Sequence, residues 1–260
     1  MSAVPDPAVF AYGFARCFMR VGGFTHAAPV LGDRGLPLAA RSALVLALTF
    51  FFSAFLPPQA PPAQTGLLMW NLGCETLLGL GMGMFLRVLF MSLLSAGHFI
   101  DSHSGLASAS IFNPLAGMEA SVLSTLLASV GTMVFLCVDG HHWLFAALAE
   151  SFRLLPEGAA GLGGRALFLP GLSVFSAHLE LAWRLAVPII LALLLVETAL
   201  FFVSKMAPQM NVLFLGMPLR LLLTFALLGS TLEIVTRIWL SAVHLNWSRL
   251  GSLLTALSHG

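Results

Sequence analysis

Leu181-Ala-Trp-Arg-Leu-Ala-Val-Pro-Ile-Ile-Leu-Ala-Leu-Leu-Leu-Val-Glu197 decides the fold. Apolar residues continue on both sides of it, over 174–203. That run exceeds the ~20 residues that cross a bilayer, so it reads as a membrane helix. Just beyond it lies a different kind of sequence, Lys205-Met-Ala-Pro-Gln-Met-Asn-Val212 running into Gly216-Met-Pro-Leu219. A generic membrane helix has no use for that density of Pro, Gly, Gln and Asn at its end.

The rest of the chain repeats this pattern. Apolar helices are expected at 9–25, 39–56, 67–97, 122–149, 174–203 and 212–243, separated by Pro- and Gly-bearing joints. The expected architecture is therefore an all-α membrane protein of about six long, partly broken helices. No linker is long enough to divide it, so residues 1–260 are expected to form one integral-membrane domain. Composition agrees. Hydrophobic residues are 58% and charged residues 9% of the chain, against about half and a quarter in a soluble domain. At a net charge of +1 and with no basic tract, nucleic acid is excluded as a partner. Asp6 and two prolines occupy the place of a basic n-region, so no cleavable signal is expected.

Two features set these helices apart. The runs 67–97, 174–203 and 212–243 approach 30 residues, about 45 Å of helix against a hydrocarbon core of ~30 Å. They must tilt, break or leave the lipid, and Pro188 and Pro218 are expected to supply breaks. The second feature is charge inside the runs: Arg16, Arg20, Glu75, Arg87, Glu180, Arg184, Glu197, Glu233 and Arg237. Each lone charge at a helix centre costs ~2.5–3.5 kcal/mol on insertion scales. Glu180/Arg184 and Glu233/Arg237 have the i,i+4 order that favours self-pairing. Arg16 and Arg20 share one face with like sign and need partners elsewhere. Loop cations tie, with Arg153, Arg165 and Arg249 on one side and Arg34, Arg41 and Lys205 on the other. The positive-inside rule therefore gives no orientation.

Catalytic signatures are missing. Gly79-Leu-Gly-Met-Gly83 lies inside a helix and reads as a packing stripe, not a phosphate loop. His141 and His142 are adjacent, so on a helix they diverge by about 100°. His98 and His103 miss the i,i+4 spacing of a helical metal pair. Cys17, Cys74 and Cys137 are far apart and show no metal spacing or disulfide framework. No catalytic residue, metal or cofactor is expected. The segment 98–121 is too polar for lipid and too apolar for water, and it ends in Ile111-Phe112 before Asn113-Pro114. Such backbone survives at membrane depth only inside protein or along a water-filled cavity. A movable plug or pore-lining loop fits, and an ordinary buried turn fits too.

Taken in order, the joints resemble those of the flagellar biosynthetic FliR family and its virulence type III secretion relatives. The residues are Arg20 with Ala28-Pro-Val-Leu-Gly-Asp-Arg-Gly-Leu-Pro37 and Arg41; Glu75 with Gly79 and Gly83; and Gly105-Leu106 through Pro114. Gly140-His-His-Trp143, Ser151-Phe152 and Leu155-Pro156 follow, then Met206-Ala-Pro-Gln-Met-Asn-Val212 with Gly216-Met-Pro218. Gly216 is closer to the flagellar pattern. Asn113 departs from the Asp that many relatives carry before the proline.

The resemblance implies a subunit of the flagellar export gate in the bacterial inner membrane, within the basal body. Its implied partners are FliP-like and FliQ-like gate subunits, FlhB-like and FlhA-like export components, and unfolded proteins in transit. Ser110, Ile111, Phe112, Asn113 and Pro114 would form the channel plug. Arg16, Arg20 and Glu75 would make inter-subunit or inter-helix ion pairs beside Gly79 and Gly83. Pro208, Gln209, Asn211, Gly216 and Pro218 would shape the turn between the last two long helices. The alternatives are a virulence-branch export subunit, a small-solute transporter built on broken helices, and a membrane enzyme or haem protein using His141, His142 and His178.

Overall fold

The computed structural model describes residues 6–32, 35, 37–105, 121–155, 164–207, 209 and 212–258. All regular structure among them is α-helical: α1 (Pro7–Ala27), α2 (Leu38–Ser53), α3 (Thr65–Ser104), α4 (Val122–Cys137), α5 (Gly140–Leu154), α6 (Gly164–Met206) and α7 (Val212–Ser258). The expected all-α membrane fold is present. Three helices, α3, α6 and α7, are long and apolar enough to cross a membrane, and α4 with α5 passes the same test as one broken span. At 40, 43 and 47 residues the three long helices measure roughly 60–70 Å. That is twice a hydrocarbon core.

Local sequence explains the ends. Asp6 caps α1 by accepting the Ala8 N–H at 3.2 Å, and Pro7 takes the first turn, where its missing N–H costs nothing. Ser121 starts α4 by accepting the Ser124 N–H at 3.4 Å.

Several features differ from the sequence expectation, among them the start of α6 at Gly164 rather than 174 and the end of α7 at Ser258 rather than 243. The run 122–149 is two helices, because Asp139 adopts a left-handed conformation at φ 57° between them. Asp tolerates that region through its short polar side chain, and Gly140 follows without steric cost. Helix α3 continues past 97 to Ser104, since its polar end is covered by the start of α4. Pro188 and Pro218 lie inside continuous helices and do not break them. Each removes one backbone hydrogen bond, which local readjustment in a long helix can absorb.

The chain groups into two compact units, residues 1–88, 139–174 and 245–260 in the first, 89–138 and 175–244 in the second. In the first, α1 packs on α3 through glycine. A Cβ on Gly23 would stand 2.6 Å from the Thr76 carbonyl oxygen, and one on Gly83 2.7 Å from that of Phe24. A Cβ on Gly79 would overlap the carbonyl of Arg20 outright. Backbone therefore meets backbone, the contact that small residues permit between helices.

In the second unit, Trp239 is fully buried and its indole N–H donates to the Leu89 carbonyl at 3.0 Å. Phe90 stands edge-on to both Trp239 and Phe135, each at 5.1 Å between ring centres. This is the preferred aromatic geometry. Phe99 stacks on Trp183 at 4.6 Å.

Candidate functional site: a buried ion triad and a helical hairpin

Arg16 and Arg20 sit one turn apart on α1 and face Glu75 on α3. The carboxylate takes both. Arg16 donates to Oε1 through Nη2 at 2.7 Å and Nε at 3.0 Å, and Arg20 donates to Oε2 through Nε at 2.6 Å. Arg16 is 6% exposed, Arg20 0% and Glu75 1%. The two glycine contacts explain how these side chains reach one another. Bulkier residues at Gly79 or Gly83 would hold the helices too far apart.

One carboxylate cannot neutralise two guanidinium groups, and the remaining donors find oxygen elsewhere. Arg16 Nη1 donates to Gln59 Oε1. Arg20 reaches the C-terminal end of α5, giving Nη1 to the Ser151 carbonyl at 2.8 Å and Nη2 to the Leu155 carbonyl at 3.0 Å. Its guanidinium also lies 4.4 Å over the Phe152 ring. A cation at the carbonyl end of a helix meets the favourable end of its dipole. Only the planar arginine fork supplies donors in these several directions at once. Arg20 thereby ties α1, α3 and α5 together inside the first unit. The triad offers no nucleophile and no open face for a substrate; it is a clamp.

Sequence reading grouped Arg16, Arg20, Glu75, Gly79 and Gly83, and the fold brings all five together. It missed Gln59, Ser151, Phe152 and Leu155 as partners. Two of these act through backbone carbonyls, which leave no trace in residue identity. Gly23 was missed as the α1 counterpart of Gly79.

The second predicted group divides. Gln209 lies exposed in the turn after α6, Gly216 is buried and Pro218 is inside α7. Pro208 and Asn211 lie outside the described residues. A Cβ on Gly216 would meet Leu200 Cδ1 at 3.0 Å, and Arg220 pairs with Glu197 at 3.1 Å. Contacts that step backward along one helix as they step forward along the other define an antiparallel hairpin of α6 and α7. The plug residues Ser110, Ile111, Phe112, Asn113 and Pro114 lie outside the described residues.

The remaining charges are also placed. Glu180 with Arg184 and Glu233 with Arg237 form their i,i+4 pairs at 2.6 Å, with more than half of every side chain exposed. Among the histidines, buried His178 stands 3.5 Å from Ser95 Oγ. The ligand atoms of Asp139, His141 and His142 lie within 4.8 Å of one another, closer than a divergence of 100° suggested. A cation there would have these three donors, with the Asp139 and His142 side chains about 70% open to water.

Glycine-coupled helices of double bilayer length, a buried arginine–glutamate clamp and a tight apolar hairpin define a class. This is an integral-membrane helical protein held together by close helix packing. Comparison with known proteins makes the class particular. Residues 11–245 match the family described as Bacterial export proteins, family 1, and the chain belongs to that family. It is 31% identical over 224 residues to the flagellar biosynthetic protein FliR of Aquifex aeolicus, covering 84% of each chain. It is 28% identical over 217 residues to FliR of Escherichia coli, covering 84% of this chain and 83% of that one. The Yop proteins translocation protein T of Yersinia pestis is 32% identical over 162 residues, covering 59% of each.

Proposed function

We propose that this chain is a subunit of the flagellar type III protein export gate, the channel that passes unfolded flagellar proteins across the bacterial inner membrane. The observation that carries this reading is the likeness to FliR proteins over 84% of the chain, against 59% for the virulence relative. The physical features support it. Helices of 40–47 residues and exposed ion pairs along apolar faces suit a chain walled by other proteins better than one dissolved in lipid.

The chain acts as one integral-membrane export domain, without catalysis of its own. Its partners are FliP-like and FliQ-like gate subunits, with FlhB-like and FlhA-like components on the export side. The segment 110–114 is its contribution to the closed plug, and the triad of Arg16, Arg20 and Glu75 holds α1, α3 and α5 together.

Co-expression of the tagged chain with the neighbouring gate subunits of its own genome, followed by native mass spectrometry, tests this. A discrete hetero-oligomer with one copy of the chain is expected; a stable monomer or homo-oligomer alone would sink the reading. Replacing 108–112 by small residues is expected to make the purified complex leak ions. An ion-tight complex would remove the plug assignment.

A further inference from the structure

Asp139, Gly140, His141 and His142 open α5, and the export reading gives none of them a task. An Asp just before a helix ordinarily turns its carboxylate back onto the first amides. Asp139 does not. It stands at φ 57°, and its side chain makes no capping hydrogen bond. Its Oδ1 lies instead 3.9 Å from His142 Nδ1. The main chain holds the two residues in register, with the His142 N–H donating to the Asp139 carbonyl at 2.9 Å.

The two imidazoles are gathered as well. Adjacent residues on a regular helix diverge by about 100°, which is why the sequence spoke against a shared metal. Yet the rings of His141 and His142 stand 4.2 Å apart between centres, tilted by 36°. His141 is half-buried, and its Nδ1 is closed off with no hydrogen-bond partner among the described residues. An enclosed polar atom left unmet carries a desolvation cost. A cation that took its lone pair would remove that cost.

One ligand atom from each of Asp139, His141 and His142 lies within 4.8 Å of the other two. Zinc holds such donors at ~2.0–2.2 Å, which places two tetrahedral ligands roughly 3.4 Å apart. The set therefore has to draw inward. The Asp139 and His142 side chains are 73% and 69% exposed, so they have room to turn. Two imidazoles with one carboxylate suit a zinc-type ion, whereas magnesium and calcium take oxygen ligands. The amide end of α5 disfavours a cation, and the Asp139 charge offsets it. Three protein donors leave a fourth position open to water or to another side chain.

We propose that Asp139, His141 and His142 form a binding site for a divalent transition cation of the zinc type. The ion fixes the left-handed turn that starts α5, the helix whose other end gives its carbonyls to Arg20. The site rests on these three side chains and does not depend on the export-gate reading.

The test uses the full-length chain, purified in detergent without a polyhistidine tag, stripped with chelator and titrated with zinc chloride. Bound metal is counted by elemental mass spectrometry, and thermal unfolding is followed in parallel. One zinc per chain is expected, with a melting temperature that climbs with zinc concentration, as binding to the folded form requires. Magnesium at the same concentrations is expected to leave the melting temperature unchanged. Asp139→Asn removes the charge but keeps a residue that tolerates the left-handed turn. That variant and His142→Ala are each expected to weaken zinc binding at least about tenfold, a loss that even residues behind the ligands incur.

His141→Ala should lose zinc to the same degree; if its half-buried position keeps it from folding, the two exposed variants decide. Zinc that is not retained, or that binds Asp139→Asn and His142→Ala as tightly as the natural chain, overturns the site. A chain that binds zinc as expected but never joins a hetero-oligomer would sink the export-gate reading and leave the metal site standing.

Discussion

Glu75 Oε2 stands 2.6 Å from Arg20 Nε, and neither side chain is more than 1% exposed. Glu75 is the acid that Arg16 and Arg20 share, so its loss takes the carboxylate from two buried cations. Breaking a buried pair from one side typically costs about 3–5 kcal/mol. Glu75→Gln is therefore expected to lower the melting temperature of the purified chain sharply and to cut its recovery in assembled complexes. Thermal unfolding in detergent would check this. Arg20→Lys is expected to be nearly as harmful, since an ammonium cannot serve Glu75, Ser151 and Leu155 together.

Glycines on one helix should respond in opposite ways. Gly79→Ala forces α1 and α3 apart and is expected to destabilise the chain by about 1–3 kcal/mol, as overpacking does. Gly81→Ala meets nothing within 4 Å and should gain roughly 0.5–1 kcal/mol from helix propensity. Denaturation of the isolated chain compares the two. Equal effects would contradict the close approach of the two helices.

Trp239 offers a test of the second unit. Trp239→Ala is expected to cost about 3–5 kcal/mol through the cavity left beside Phe90. Trp239→Phe should cost only ~1 kcal/mol, since the Leu89 carbonyl keeps the Ser92 hydroxyl at 2.6 Å. Proteolysis rates of the two variants would order them. A silent Trp239→Ala would remove this residue from the core.

The hairpin pair is weaker by the same reasoning. The Glu197 side chain is 47% exposed and that of Arg220 25%, so a double-mutant cycle with Glu197→Gln and Arg220→Gln should return at most about 1 kcal/mol of coupling. A coupling of several kcal/mol would mean that a partner subunit buries the pair in the assembly.

Much of this was readable from residue types. Two like charges one turn apart on an apolar helix demand partners elsewhere, and the grouping of Arg16 and Arg20 with Glu75, Gly79 and Gly83 came from the family resemblance. The self-pairing of Glu180 with Arg184 followed from spacing alone. What escaped was whatever depends on the surroundings. Apolar residues resume at Trp143 and run on to Ala149, so the long run hid the helix break, although the Asp139-Gly140 dipeptide was a turn signal in plain view. The extension of α3 to Ser104 was hidden because polar residues such as Asp101 and Ser104 look like loop until α4 covers them. Carbonyl partners of Arg20 belong to the backbone and have no letter in the sequence.

The reach of Arg20 has a consequence in time as well as in space. Its partners lie 55 residues downstream at Glu75 and 131 downstream at Ser151. Synthesis runs from the N-terminus, so α1 leaves the ribosome with both cations unanswered and waits through α2 and into α3 for its acid. It waits through more than half the chain for the carbonyls of α5. Helix α1 is thus settled late, and until then its arginines need water or another protein beside them.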